Sequence, residues 1–146
     1  MTRAHADRPD SGWTFVESII VIAIIIILTG TVAFSASRYV GRARTASTRA
    51  QIAALSIALH AYFMDCGRYP SEAQGLDALW ERPSLAPVPD GWEGPYVERA
   101  VPRDGWGNPF DYRSPGPDGL AFEIVSTGAD GFPGGSGDAA DISSAR

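Results

Sequence analysis

The sequence contains no lysine, so its 12 basic residues are all arginine, and 17 acidic residues outnumber them. The formal net charge is −5. A surface that binds nucleic acid needs clustered cations, and the arginines cluster at only one place, just after a long apolar run. The clustered arginines are Arg38, Arg42, Arg44 and Arg49. The charge balance therefore argues against a nucleic-acid partner.

Cysteine and histidine are also scarce. Cys66 is the only cysteine, which excludes an intrachain disulfide, and nothing near it matches a metal or redox motif. His5 lies near the start of the chain, and His60 lies among alanine and leucine residues. The sequence has no nucleophile elbow and no phosphate-binding loop before a helix. We therefore expect a protein that is not an enzyme, with a packed thiol at Cys66.

One long apolar run dominates the start of the chain. Glu17 is the only charged residue within residues 15–34. About twenty apolar residues in a helix, at roughly 1.5 Å each, cross the core of a bilayer. A charge on such a segment is costly to bury, so it usually has a partner or a task. The run predicts a transmembrane helix with Glu17 as a functional candidate; an acid that reaches the membrane surface from an ordinary anchor is the alternative.

The helical pattern continues beyond the apolar run. Residues 35–64 contain no proline, and apolar residues recur there at three- and four-residue spacing. The residues expected on the buried face are Ile52, Leu55, Leu59, Tyr62 and Phe63. Gly67 is placed to cap the helix, and Pro70 prevents a simple continuation. We expect one long helix whose second half packs against a small domain.

Short strands and turns follow the helix. A short helix is predicted over residues 71–79, and turn residues concentrate at 105–109 and 114–119. Alternating apolar and polar residues predict strands, the first of them weakly, at residues 96–100, 110–114 and 120–126. A sheet of this size is marginal alone and needs the helix as its hydrophobic cover. The predicted fold class is α+β, with a long N-terminal helix packed on a small antiparallel β-sheet.

The first twelve residues are hydrophilic and end in glycine directly before the apolar run. A secretory signal peptide has the opposite order, with its apolar core before the cleavage site. The stretch Gly12-Trp13-Thr14-Phe15-Val16-Glu17 resembles the class III signal of type IV pilins and type II secretion pseudopilins. The resemblance implies that prepilin peptidase cleaves after Gly12 and methylates the new amine of Trp13, and that Glu17 acts in assembly. Trp13 stands where this family usually has phenylalanine.

Three further motifs occur in the order found in one family. Residues 63–76 read FMDCGRYPSEAQGL, residues 104–116 read DGWGNPFDYRSPG, and residues 126–131 read STGADG. With the leader, they resemble the major pseudopilin of the type II secretion system across residues 12–142. The resemblance implies a type IV pilin-like fold. It also implies a structural subunit that polymerises into a periplasmic pseudopilus and drives folded exoproteins through the outer membrane.

The same resemblance implies a domain organisation and a set of partners. The expected segments are a prepilin leader at 1–12, a transmembrane and assembly helix at 13–34, a periplasmic stem helix at 35–66 and a globular domain at 67–146. The protein would be a single-pass protein of the bacterial inner membrane with a periplasmic C-terminal domain. Its expected partners are further copies of itself in a homopolymer, minor pseudopilins, prepilin peptidase, the membrane, and an inner-membrane assembly platform with its ATPase.

The segment 126–142 is rich in glycine and aspartate. Calcium prefers about six to eight oxygen ligands, and glycines let carboxylates and carbonyls converge. Taken alone, the composition also fits a solvated tail, and the spacing is not that of an EF-hand. The resemblance implies a calcium loop whose ligands are the carbonyl of Thr127, the carboxylates of Asp130, Asp138 and Asp141, and Ser136. Asp138 departs from the spacing of the family by one residue.

Two other functions remain open. The first is a minor or type IV pilin in adhesion, motility or DNA uptake, which the WGNP stretch at residues 106–109 and the calcium-loop motif disfavour. The second is a membrane-anchored periplasmic binding domain that never polymerises. The absence of an aromatic residue after Ile142, where the family has one, is the only feature that favours this second alternative.

Overall fold

The structure, a computed structural model, describes residues 14–145, without the side chains of residues 31–38. Gly12 and Trp13 therefore lie outside the described residues. The chain divides into two compact units, Met1–Tyr39 and Val40–Arg146. Helix α1, Phe15–Cys66, begins in the first unit and ends in the second.

The start of helix α1 is capped by Thr14. The hydroxyl of Thr14 accepts a hydrogen bond from the Glu17 amide at 3.2 Å, and its carbonyl accepts one from the Ser18 amide at 3.1 Å. A threonine followed by glutamate three residues later is the pattern of a capping box. Within the part of the chain that the structure describes, no helix is both long enough and apolar enough to cross a membrane.

In the second unit, helix α1 buries one face. The buried residues recur mostly at three- and four-residue spacing and are Gly41, Thr48, Ile52, Leu55, Ala58, Leu59 and Tyr62. The helix ends where Gly67 adopts φ 69° and donates its amide to the Phe63 carbonyl at 2.8 Å. The expected helix end and buried face are therefore confirmed, except at Phe63. That ring is 40% exposed and stacks on Tyr69 with centroids 4.8 Å apart, because it lies at the edge of the buried face.

The helix expected over residues 71–79 is shorter than predicted. Only a 3-10 helix at Leu76–Leu79 forms. Before it, the Ser71 amide donates to the Gln74 side chain at 2.9 Å, and the Gln74 amide donates to the Ser71 hydroxyl at 3.3 Å. Gly75 then adopts φ 62°, which is outside the helical region. These turns replace the first half of the predicted helix.

Three short antiparallel strands form one sheet, in which the second strand along the chain lies between the other two. The strands are β1 at Asp111–Arg113, β2 at Glu123–Ser126 and β3 at Ile142–Ser143. Tyr112 of β1 pairs with Ile124 of β2, and Ser126 of β2 pairs with Ile142 of β3. Ile124 is fully buried in the same core cluster as Leu59 of helix α1. The long helix and small antiparallel sheet confirm the predicted α+β architecture.

The third strand is not the one that the sequence predicts. Residues 96–100 form no strand. Tyr96 instead packs edge-on against Tyr62 and Trp92, with ring centroids 5.5 and 5.8 Å away. Residues 98–100 are exposed, so the segment offers the sheet no apolar face. The C-terminal strand β3 takes the third position.

Candidate functional site

A buried carboxylate organises the turn that precedes β1. Asp104 is 6% exposed. Its Oδ1 accepts hydrogen bonds from the amides of Trp106 at 3.0 Å and Asn108 at 2.8 Å, and its Oδ2 accepts one from the Ser126 hydroxyl at 2.6 Å. A buried charge is tolerated when hydrogen bonds replace its hydration. Asp104 therefore fixes the turn at residues 104–108 and ties it to strand β2.

The same turn is attached to helix α1. The Gly105 amide donates to the hydroxyl of Thr48, which is fully buried, at 2.9 Å. A Cβ on Gly105 would lie 2.7 Å from the Arg44 carbonyl oxygen. Glycine is therefore the residue that lets the turn approach the helix backbone this closely.

The turn is also attached to the C-terminal loop. The Asn108 side-chain amide donates to the Gly128 carbonyl at 2.7 Å, and the Gly128 amide donates to the Ser126 hydroxyl at 3.3 Å. Thr127, between these two loop residues, is only 9% exposed. The two sequence motifs at 104–116 and 126–131 are thus brought into contact. Their proximity could not be read from either motif alone.

The loop at residues 126–142 is a chain of tight turns. Five of its glycines have positive φ, namely Gly128, Gly131, Gly134, Gly135 and Gly137. Asp141 closes the loop, because its amide donates to the Gly134 carbonyl at 3.2 Å and its carboxylate accepts from the Gly134 amide at 2.9 Å. Asp130 accepts a hydrogen bond from the Phe132 amide at 3.1 Å. Both carboxylates are exposed and bond to amides of their own loop.

Asp138 is also exposed, but its carboxyl group contacts helix α1 and not an amide of the loop. It belongs to a 3-10 helix at Gly137–Ala139 that follows Ser136, whose carbonyl accepts from the Ala139 amide at 3.2 Å. The carboxyl group of Asp138 lies against Gly41 of helix α1. A Cβ on Gly41 would be 2.7 Å from both Cγ and Oδ1 of Asp138. The loop therefore contacts the helix through this side chain.

The donor chemistry of the loop fits calcium, although its carboxylates are not gathered. Among the described residues, no group of three histidine, cysteine or acidic side chains converges as a metal centre would require. The segment 126–142 nevertheless offers carboxylates, hydroxyls and carbonyls and contains no basic residue. Hard oxygen donors of this kind suit calcium. The calcium ligands stay a prediction.

Two tyrosines form another polar feature of this unit, of which Tyr62 is buried and Tyr112 is half-buried. Burial, with a smaller contribution from Cys66, raises the pKa of Tyr62 to about 12. Burial likewise raises the pKa of Tyr112 to about 12, and its hydroxyl donates to the Pro70 carbonyl at 2.9 Å. Both phenols therefore stay neutral at physiological pH and act in packing. Cys66 is a half-buried free thiol.

The other predicted site residues can be located only in part. Glu17 is exposed in the first turn of helix α1, where its amide is held by Thr14. Gly12 and Trp13 are outside the described part of the chain. His60 has its Nδ1 3.0 Å from the Tyr69 hydroxyl and packs edge-on against Phe122, with ring centroids 5.5 Å apart. His60 is thus part of an aromatic cluster.

The sequence is similar to those of known proteins. The profile of the family described as "Type II secretion system (T2SS), protein G" matches residues 36–145. The chain is 38% identical over 135 residues to the type II secretion system core protein G of Pseudomonas aeruginosa, covering 92% of this chain and 94% of that protein. It is 36% identical over 146 residues to the core protein G of Xanthomonas campestris pv. campestris, covering 97% of this chain and 94% of that protein.

A solved structure is similar as well. The crystal structure of the major pseudopilin from the type 2 secretion system of enterohaemorrhagic Escherichia coli matches with a TM-score of 0.61 and 32% sequence identity. The match covers 70% of this chain and 87% of that one. The family profile and the relatives show that the chain belongs to the type II secretion system protein G family.

Proposed function

We propose that this protein is the major structural subunit of a type II secretion pseudopilus, which polymerises in the periplasm and drives folded exoproteins through the outer membrane. The observation that carries the proposal is the structural match to a major pseudopilin at 32% identity over 87% of that chain. The hydrogen bonds that join the turn at 104–108 to helix α1 and to the C-terminal loop support the proposal, because this part of the fold contains the motifs of the family. The role is structural and needs no catalytic residue.

The first unit is proposed to anchor the subunit in the inner membrane, with the second unit in the periplasm. Residues 19–28 of its helix are all apolar and cover every side of this stretch; the exposed ones include Ile19, Ile20, Ile22, Ile24, Ile25 and Ile26. A helix that is apolar all round is suited to a membrane or to the core of an assembly. Prepilin peptidase would cleave after Gly12 and methylate Trp13 before the subunit leaves the membrane.

Glu17 is proposed to set the register of assembly. Cleavage after Gly12 creates a cationic amine at Trp13, four residues before Glu17. In an apolar environment, an unpaired carboxylate and an unpaired amine each cost several kcal/mol, and pairing them recovers much of that cost. If the amine of an incoming subunit meets Glu17 of its neighbour, a wrong register leaves both groups unpaired. Thr14 bonds only the amide of Glu17 in this contact, and Glu17 is exposed, so its carboxylate is accessible to a neighbour.

Calcium is proposed to close the C-terminal loop. The carbonyl of Thr127, the carboxylates of Asp130 and Asp141, and Ser136 would hold it. When bound, calcium neutralises the acidic loop and cross-links its turns. The lack of any basic residue in residues 126–142 supports a cation as the counter-charge. Asp138, the remaining expected ligand, contacts Gly41 of helix α1.

Photo-cross-linking in native membranes tests whether the protein polymerises. Reagents that link lysine side chains have no target here, because the chain has no lysine. A photoreactive amino acid at position 57 avoids this problem, since Ile57 is 71% exposed. We expect a ladder of homo-oligomers, with additional products to minor pseudopilins and the assembly platform. The same residue placed at fully buried Leu59 is the matched control and should give no ladder. A monomer alone from position 57 would support an anchored binding domain instead.

A further inference from the structure

We propose that Asp138 is a latch that fastens the C-terminal loop to helix α1 at Gly41, and that it is not a calcium ligand. Gly41 is buried although it has no side chain, and what covers it includes the carboxyl group of Asp138. Cγ, Oδ1 and Oδ2 of Asp138 all occupy the space that a Cβ at position 41 would take. The seat therefore exists only because residue 41 is glycine.

The backbone that carries Asp138 is packed tightly from the loop side. The Asp138 carbonyl accepts a hydrogen bond from the Ala129 amide at 2.9 Å. A Cβ on Gly128 or on Gly135 would lie 2.9 Å from the carbonyl carbon of Ala139. Two glycines thus allow the 3-10 helix Gly137–Ala139 to press against the rest of the loop, which fixes the position from which Asp138 reaches Gly41.

The charge of the helix suits this seat. Gly41 is followed by Arg42 and Arg44, which are both exposed. A carboxylate placed on this basic stretch is attracted by its arginines, whereas a carboxylate placed beside Asp130 and Asp141 is repelled in the absence of a cation. The described acidic side chains form no cluster of three, in keeping with a separate position for Asp138.

The latch and a calcium ligand are competing uses of one carboxylate. To bind a metal with Asp130 and Asp141, the Asp138 side chain would have to leave Gly41. The latch instead makes loop closure partly independent of calcium, because the loop stays attached to helix α1 through a contact that needs no metal. This inference rests on the Gly41 contact and not on the calcium proposal.

Hydrogen exchange of the full chain in detergent micelles, without calcium, tests the latch. The readout is the exchange of the Ala129 and Asp141 amides, which are bonded within the loop. We expect Gly41→Ala and Asp138→Ala each to speed this exchange by about tenfold or more, because loss of the contact lets the loop open. Gly30→Ala adds the same methyl group to helix α1 where nothing lies within 4 Å, and should leave the exchange unchanged.

The double variant makes the test specific. If Gly41→Ala acts by expelling the carboxylate, the variant with both Gly41→Ala and Asp138→Ala should exchange like Asp138→Ala alone, because coupled residues are not additive. Additive effects of the two substitutions, or no effect of Gly41→Ala on the loop amides, would overturn the latch.

A calcium titration of the same variants separates the two roles. The quantity compared is the calcium concentration at the midpoint of the titration. We expect Asp138→Ala to change this concentration by less than about twofold, whereas Asp141→Ala should raise it by about tenfold or more, as loss of a ligand does. A tenfold weaker midpoint for Asp138→Ala would assign it to the metal and overturn the latch. If the wild type does not respond to calcium at all, the calcium proposal fails, and the latch is decided by the exchange of the Gly41 and Asp138 variants.

Discussion

The hydroxyl of Ser126 donates a 2.6 Å hydrogen bond to Oδ2 of Asp104, which joins the turn before β1 to the end of β2. Both residues are buried. The other oxygen of Asp104 accepts from two amides of its own turn. One carboxylate therefore joins two motifs through residues that lie 22 positions apart in the sequence.

We expect Asp104→Ala to lower the free energy of unfolding of residues 40–146 by about 3 kcal/mol, because it leaves buried amides and the Ser126 hydroxyl without an acceptor. Urea denaturation measures this difference. Asp111→Ala, at an exposed position of β1, is the control and should change stability by less than about 0.5 kcal/mol. Equal effects of the two substitutions would show that Asp104 does not organise the turn.

Thr48 and Thr45 form a matched pair for testing the attachment of the turn to helix α1. Thr48→Val keeps the side-chain shape but removes the acceptor of the Gly105 amide, and should cost about 1 to 2 kcal/mol in the same denaturation experiment. The Thr45 hydroxyl donates only to the Gly41 carbonyl of its own helix, so Thr45→Val should cost clearly less. A larger loss for Thr45→Val would contradict the proposed attachment.

Processing should depend on Gly12. A peptidase that binds the backbone closely at the cut accommodates glycine because it lacks a Cβ, so Gly12→Val is expected to leave an uncleaved precursor. Intact-mass measurement of the membrane protein decides the matter. Ser11→Val, one residue earlier, serves as the control and should still be cleaved. A mature chain that begins at Trp13 in the Gly12→Val protein would rule out the proposed signal.

Glu17 should be dispensable for insertion but required for assembly. Glu17→Val removes a charge from the apolar helix, which favours insertion by about 2.5 to 3.5 kcal/mol if the residue sits deep in the membrane. We expect an inserted and cleaved protein that fails to form the cross-linked ladder. Glu17→Asp keeps the charge and should retain part of the assembly. Normal fibres and normal secretion from Glu17→Val would count against the register hypothesis.

Calcium should raise the melting temperature of residues 40–146. At free calcium of about 100 times the dissociation constant, the gain is roughly 2.7 kcal/mol, which for a domain of roughly 100 residues is a shift on the order of 10 °C. Asp130→Ala and Asp141→Ala should lose this shift. Magnesium should replace calcium poorly, because it demands a tighter octahedral shell. Identical melts of the wild type with calcium and with chelator would rule out the calcium proposal.

The part of helix α1 in the second unit is predicted correctly because a helix shows itself in the spacing of residues close together in the sequence. Three- and four-residue spacing identifies Ile52, Leu55 and Leu59 as buried, and Gly67 as the cap. Reliance on such local patterns also explains the errors in the strand predictions. Strand β3, Ile142–Ser143, has two residues, which is too short for an alternating pattern. The predicted strand at 96–100 fails because Tyr96 packs into an aromatic cluster instead.

The candidate site is less predictable because it depends on contacts between distant residues. Family motifs indicate Thr127, Asp130 and Asp141 by position, but no local pattern shows that Asp138 meets Gly41 of the helix. The contacts of Asp104 with Ser126 and of Gly105 with Thr48 likewise join segments that only the folded chain brings together. Such contacts are set by the packing of the whole unit.

The turn at 104–108 is placed to transmit force within the second unit. A subunit that pushes cargo must transmit force between helix α1 and the surface formed by the loop. The turn bonds to helix α1 through Gly105 and to the loop through Asn108. Asp104 stabilises the turn because its Oδ1 accepts a hydrogen bond from the Asn108 amide. Because these bonds lie on separate residues, a pull on the helix is shared among them. The turn would therefore resist tension between helix α1 and the loop.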